Sequence, residues 1–476
     1  MAGNKRIGRR GLLAATAAVA AAAVLAPMAA VAAPVSPAAP AVPAAPAAPA
    51  SSAPPVSPAD GYAATARRSA VVRALESVAQ PLRTTEPGAR TADLRALDAM
   101  IGDAAVVGLG EATHGSHEFF AMKHRLFRHL VEEKGFTTFA LETSWTSGLL
   151  VDEYVQGGPG DARQVVKEAL GGSPWEREEF ADLIDWMRAH NRSHPQRPLH
   201  FVGDDIGAPR LGDRIFERVT SYVREVRPDA VARLDGLYAG LRPFDDVFGY
   251  LRLPLAERRE NAARAQQALD LVTATGAPGE DAHEWAVQHA RNIAQTFAFA
   301  GLDLTDPASV SAAEQLRDRV MADTTAWWQR RTGGKVLLSA HNGHTGYLAT
   351  DTFLYPKPQG SHLRDAYGSD YVAIGFTFDS GSFLTNDEIL TGAWKTVTVP
   401  AATPDMNEYT LDQVRYRDYY LDLRTAPRAA RDWLDVTRPT YDAGSVFVDD
   451  PMPRLALGRA YDVLVHLNQV TQARKF

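Results

Sequence analysis

Apolar residues along the chain fall into two repeating patterns. Short continuous runs at Val106–Leu109, Phe136–Leu141, Leu199–Val202, Lys335–Ala340 and Tyr371–Phe376 are bounded by glycine or polar residues. Runs of that length and character predict strands buried on both faces. Between them the apolar positions recur at helical spacing. Phe119, Met122, Leu126, Phe127, Leu130 and Val131 mark one helix, which Gly135 ends. Trp145 to Tyr154 begins a second, and Trp175, Glu179, Leu183, Ile184, Trp186 and Met187 mark a third ending near Asn191. Ala63–Val78 and Ala92–Met100 predict helices ahead of the first strand. Strand, helix, strand in that order predicts parallel pairing with a right-handed crossover.

From about residue 212 to 330 the pattern turns helical, with segments at Tyr222–Leu241, Leu255–Thr273, Ala282–Phe299 and Ala312–Arg330 and no strand run. Weaker strands follow at Lys395–Val399, Ser445–Val448 and Asp462–His466. The expected fold is therefore α/β: a mainly parallel sheet flanked by helices, with a helical insertion at about 212–330 inside a body spanning 61–476.

The N-terminus has a different character. Lys5, Arg6, Arg9 and Arg10 precede the apolar stretch Gly11–Ala26, and Ala30-Val31-Ala32 fits a small-x-small cleavage site. Residues 1–33 thus read as an export signal of twin-arginine type, followed by an Ala/Pro-rich linker at 34–60. The expectation is a secreted protein with no membrane attachment after signal cleavage. The chain has 476 residues, a formal net charge of −7 and no cysteine. Disulfides, thiol nucleophiles and thiolate zinc sites are excluded. No basic run follows the N-terminus, so nucleic acid is not an expected partner.

Chemistry collects where the strands end. The stretch Val106-Val107-Gly108-Leu109-Gly110-Glu111-Ala112-Thr113-His114 runs from a buried strand through a glycine turn to a glutamate and a histidine three residues apart. Thr113 or Ser116 can cap the helix that follows. Glu142 directly follows the second strand, Asp204 and Asp205 the third, and His341-Asn342-Gly343-His344 the next. A parallel sheet brings these ends to one rim, where open α/β sheets place their sites. Histidine backed by a carboxylate suits acid–base work on water. The same set also suits a divalent metal, held by His114, His341, His344 and Glu142. No G-x-S-x-G elbow, P-loop or H-E-x-x-H is present, and the glycines at 108 and 110 lack the third glycine of a dinucleotide site. His117, His124 and His129 share one helix and read as structural. Trp145, Trp175, Trp186, Trp285, Trp327 and Trp328 read as core.

Gly108-Leu109-Gly110-Glu111-Ala112-Thr113-His114-Gly115, Leu141-Glu142, Phe201-Val202-Gly203-Asp204-Asp205 and His341-Asn342-Gly343-His344 together resemble the erythromycin esterase family, over roughly residues 90–470. The resemblance implies an α/β sheet with a helical insertion. It also implies hydrolysis of a lactone or ester, macrolide antibiotics among them, without a covalent intermediate and with no cofactor. Carried over residue by residue, it makes His114 the general base, with Glu111 or Glu142 orienting it. His341, His344 and Lys123 would steady the oxyanion or the leaving alkoxide, and Lys123 and Asp205 would meet the substrate. Lys123 stands where macrolide-degrading members carry arginine, which keeps the charge but loses the bidentate fork. Two rival expectations use the same rim: a metal-dependent hydrolase, and a secreted binding protein for a glycan or an apolar small molecule.

Overall fold

The computed structural model describes residues 69–476 apart from 208–210, 243, 245, 277–278 and 387–392. The expected export signal at 1–33, the linker at 34–60 and the first part of the Ala63–Val78 helix lie outside the described residues.

Among the described residues, nine strands form one sheet. They are β1 (Gln80–Pro81), β2 (Val106–Leu109), β3 (Phe136–Ser144), β4 (His200–Asp205), β5 (Lys335–Ser339), β6 (Tyr371–Thr385), β7 (Lys395–Val399), β8 (Tyr419–Asp422) and, after the small β9–β10 ribbon (Arg438–Pro439 with Arg454–Leu455), β11 (Val463–Val470). The order is β1-β8-β11-β6-β2-β5-β3-β4, and β7 pairs antiparallel with the end of β6. From β11 to β4 every neighbouring pair is parallel. β8 and β1 close one edge antiparallel.

Period-two alternation divides the sheet's side chains between two cores. Val107, Leu109, Phe139 and Leu141 face one core, and Val106 and Ala140 face the other. After the helix α1 (Arg95–Ile101), the first core is covered by α2 (His117–His129), α3 (Trp145–Val155), α4 (Ala162–Leu170) and α5 (Glu178–Ser193). The second is covered by the insertion, namely α6 (Asp213–Val226), α7 (Val231–Tyr238), α8 (Leu255–Thr273), α9 (Asp281–Ala300) and α10 (Pro307–Thr332). Gly108 makes room for the side chain of Tyr371 on the neighbouring strand β6, since a Cβ there would lie 2.2 Å from its hydroxyl. No helix among the described residues is long and apolar enough to cross a membrane.

Several elements differ from the sequence expectation. Ser445–Val448 is not a strand: Val446 makes only an isolated bridge to Asn386, and Val448 is exposed. The expected helix at Tyr222–Leu241 is two, because Arg227 leaves helical geometry and Pro228 starts a new turn. α5 starts at Glu178, leaving Trp175 in the preceding loop. α4, capped by Asp161, and the short strands β1 and β8 lacked a pattern strong enough to read. β4 continues through Asp205, so both aspartates belong to the strand itself.

Candidate active site

The turn after β2 is fixed by close backbone packing. Asn342, at the start of the short helix α11 (Asn342–Thr345), donates its side chain to Phe376 O at 2.8 Å and accepts from Phe376 N at 3.0 Å. Its own N–H bonds Glu111 O at 2.9 Å. A Cβ on Gly110 would meet the Asn342 side chain at 2.1 Å, and one on Gly115 would strike the Leu384 backbone at 2.0 Å. Asn342 therefore splices β5, β6 and the β2 turn together. Thr113 and Ser116 bond each other through their hydroxyls at 2.5 Å, and Ser116, though at the cap position of α2, makes no side-chain cap bond.

This turn places His114 with Nδ1 on Glu111 Oε1 at 2.5 Å. The second Glu111 oxygen takes an ion pair from Lys123, which reaches back from α2. Lys123 also donates to Ser339 Oγ at 3.0 Å and Ala340 O at 3.2 Å, and is only 1% exposed. The structure thus spends this ammonium on Glu111 and the end of β5 rather than leaving it open to a ligand. Burial pushes the Glu111 carboxyl up, but the Lys123 ammonium and the hydrogen bond from His114 hold it below the usual carboxylate range. Burial lowers Lys123, against the pull of Glu111. With Nδ1 committed, Nε2 of His114 has no hydrogen-bond partner among the described residues. It lies near Gly444, where a Cβ would stand 3.8 Å away. The rings of His341 and Trp175 flank His114 at 5.0 and 5.5 Å.

A second network occupies the ends of β3 and β4. Glu142 accepts the backbone N–H of His341 at 2.8 Å and an Arg317 N–H at 2.9 Å. Arg317, from α10, also holds both oxygens of Asp205, at 2.6 to 3.1 Å. His344 has Nδ1 on Asp318 Oδ1 at 2.7 Å and Nε2 3.3 Å from Glu142 Oε1. Burial works against a charge on His344, but Glu142 and Asp318 hold the imidazolium well above the ordinary histidine range. Glu142 in turn lies well below its usual range: burial raises it, and the charges of His344, His114 and Arg317 overcome that. His341 accepts the Gly343 N–H at Nδ1, 3.1 Å, and turns Nε2 to within 3.0 Å of Asp442. Asp204, bonded by Thr325 and Gln359, is pushed well above the carboxylate range by burial and by Asp205.

The rim thus unites every residue singled out from sequence: Glu111, His114, Lys123, Glu142, Asp205, His341 and His344. Its remaining members, Arg317, Asp318 and Asp442, carried no sequence signal. Arg317 and Asp318 sit in the middle of a 26-residue helix with charge on several faces. Asp442 lies in the loop ahead of the expected Ser445–Val448 strand, where its neighbour Ala443 accepts the His114 N–H at 3.2 Å. Nδ1 of His114, both nitrogens of His344 and both oxygens of Glu142 have protein partners, whereas Nε2 of His114 and Nε2 of His341 make no hydrogen bond among the described residues.

The carboxyl rim of a parallel α/β sheet thus carries a histidine backed by a carboxylate that a buried ammonium balances, an arrangement suited to acid–base chemistry. A family model described as erythromycin esterase matches residues 131–470, and the chain belongs to that family. Erythromycin esterase type II of Escherichia coli is 26% identical over 325 residues, covering 63% of this chain and 75% of that protein. A Bacillus cereus protein of known structure superposes with a TM-score of 0.78 at 29% identity, over 86% of this chain and 99% of that one. A succinoglycan biosynthesis protein superposes with a TM-score of 0.76 at 31% identity, over 86% and 98%. The chain is a hydrolase of the erythromycin esterase family with a mixed α/β fold.

Proposed function

We propose that this hydrolase cleaves an ester or lactone by direct attack of a water molecule that His114 activates. The observation that carries the reading is the Glu111–His114 pair, with Nδ1 committed and Nε2 left without a partner among the described residues. In that arrangement Nε2 takes the proton as the water oxygen bonds to the acyl carbon. Glu111, kept ionised by Lys123, steadies the imidazolium that forms. The tetrahedral oxyanion then collapses, the bond to the leaving oxygen breaks, and the proton passes from His114 to that oxygen. The buried imidazolium of His344 and the guanidinium of Arg317 supply fixed positive charge close to Glu142 and the rim, where negative charge develops. Lys123 acts through Glu111, and Asp205 through Arg317, rather than by touching the substrate.

The substrate class in this proposal is a lactone or carboxylic ester, macrolides included, reached outside the cell after export directed by residues 1–33. Support for export is the basic, apolar and small-residue order of that segment. The test is mass spectrometry of a panel of macrolides, simple lactones and carboxylic esters incubated with metal-stripped protein. The expected result is the gain of one water by a panel member, abolished by His114→Asn. Activity that appears only when zinc or manganese is restored would overturn the metal-free route. A ligand bound tightly and recovered intact, with the whole panel unchanged, would favour a binding protein.

A further inference from the structure

The reaction proposed above leaves His341 without a task, although its ring stands 5.0 Å from that of His114. Glu142 takes the backbone N–H of His341 at 2.8 Å, and Nδ1 of the ring accepts the Gly343 N–H at 3.1 Å. A ring nitrogen that accepts carries no proton, so the neutral ring holds its proton on Nε2. Oδ1 of Asp442 lies 3.0 Å from that nitrogen. Both atoms are buried and neither makes a hydrogen bond among the described residues, so a small turn of the ring toward Asp442 satisfies the two together. We propose that Asp442 is a positioning residue of this active site, a role that rests on His114 being the base. It holds the proton of His341 on Nε2 and keeps that ring seated beside His114.

Backbone bonds bring Asp442 to this place without help from its side chain. Ahead of it, Glu408 takes the Thr440 hydroxyl and, at 3.2 Å, the Tyr441 N–H. Behind it, Ala443 donates to Ala112 O at 2.7 Å and accepts the His114 N–H at 3.2 Å, and the Asn386 N–H bonds Ser445 O at 2.8 Å. The Thr350 hydroxyl then holds the Asp442 carboxylate from its far side, on Oδ2 at 2.7 Å. One loop thus meets both histidines, His114 through its backbone and His341 through a carboxylate. The consequence is chemical as well as steric. A His341 with a bare Nε2 would be a second base beside His114 and would compete for the proton of the attacking water. With the proton on Nε2 and Nδ1 bonded to Gly343, neither nitrogen of His341 offers a free lone pair, and His114 remains the base.

The test has a spectroscopic and a kinetic arm, both on the full chain. A long-range ¹H–¹⁵N spectrum of protein labelled with ¹⁵N-histidine, in which the His341 signals are identified by their loss in His341→Gln, should show the proton on Nε2. Asp442→Asn should mix the two tautomers. On the ester that the wild-type protein cleaves, Asp442→Asn should lower kcat about 10- to 100-fold with KM little changed, the size expected from a small misplacement beside the reacting groups. Thr350→Val removes only the hydroxyl behind Asp442; it should give a smaller loss of the same kind, and it replaces Asp442→Asn should that variant not fold. A wild-type His341 with its proton on Nδ1, His341 signals unchanged in Asp442→Asn, or full kcat in Asp442→Asn would each overturn the proposal. The spectrum needs no turnover. A panel left wholly uncleaved, with the tautomer as expected, would therefore count against the reading of His114 and not against the pairing of Asp442 with His341.

Discussion

His114 and His344 stand at neighbouring strand ends, both buried and both beside carboxylates, yet their ring nitrogens are engaged differently. His114 leans on Glu111 through one nitrogen and keeps the other without a partner among the described residues. His344 spends both, on Asp318 and Glu142, and is locked as an imidazolium. The difference teaches that a nearby carboxylate does not by itself make a histidine a base. What matters is whether a ring nitrogen remains free to exchange a proton, since the partner carboxylate has its own counter-charge in both cases. Lys123 supplies that counter-charge to Glu111, and Arg317 supplies it to Glu142.

The comparison breaks most sharply at His114. His114→Asn should lower kcat/KM about 10²- to 10⁴-fold while thermal unfolding shifts little, the size expected for loss of a general base. His344→Asn, by contrast, should cost stability as well as rate, because it leaves Glu142 and Asp318 facing each other without the cation between them. A rate loss in His344→Asn that exceeds the loss in His114→Asn would reverse the assignment.

Next in size is Glu111→Gln. It leaves the buried Lys123 ammonium without its carboxylate, a loss on the order of 3–5 kcal/mol. Urea unfolding should show it, and the double variant Glu111→Gln/Lys123→Met should recover much of the stability but none of the activity. A neutral Glu111→Gln would mean that Lys123 is balanced by some other group.

Arg317→Met tests the second network. Glu142 and Asp205 then face each other unscreened, and the carboxyl of Glu142 should move up. Turnover should fall about 10- to 100-fold with its acid limb shifted to higher pH, as expected when a fixed cation is removed from a buried site. An unchanged pH profile would separate Arg317 from the chemistry.

The smallest effect lies away from the rim. His117 is raised to about 9 by Glu179, burial opposing, from an ordinary 6.5. Its contribution is fully present below pH 6.5 and is lost as the pH rises through 9. Burial raises Glu408 from 4.5 to about 8, so its cost grows as the pH rises across that range. Both make the protein less stable toward alkaline pH. His117→Gln should flatten the upper part of that decline by about 1 kcal/mol, read from denaturation midpoints between pH 6.5 and 9.

Much of this was legible before any coordinates. The strands β2, β3, β5 and β6 are buried on both faces, so their sequences are uninterrupted apolar runs, and a parallel sheet then fixes which end carries chemistry. Glu111, His114, Glu142, His341 and His344 follow from that alone. Arg317 and Asp318 do not, because a long helix with charge on several faces gives no sign of which face turns inward. Asp442 was hidden by a loop whose valines mimic a strand. The fate of Lys123 was equally hidden: a lysine on an amphipathic helix gives no notice that its ammonium will be buried against a carboxylate twelve residues earlier.

The most direct measurement of the central claim is a single turnover in H₂¹⁸O, on whichever ester the wild-type protein cleaves, with rapid-quench mass spectrometry of both product and protein. The account predicts one ¹⁸O in the acid product of the first turnover and an unchanged protein mass throughout. An acyl adduct on the protein, or ¹⁸O built into Glu111 or Glu142, would show that a carboxylate rather than a His114-activated water attacks the carbonyl.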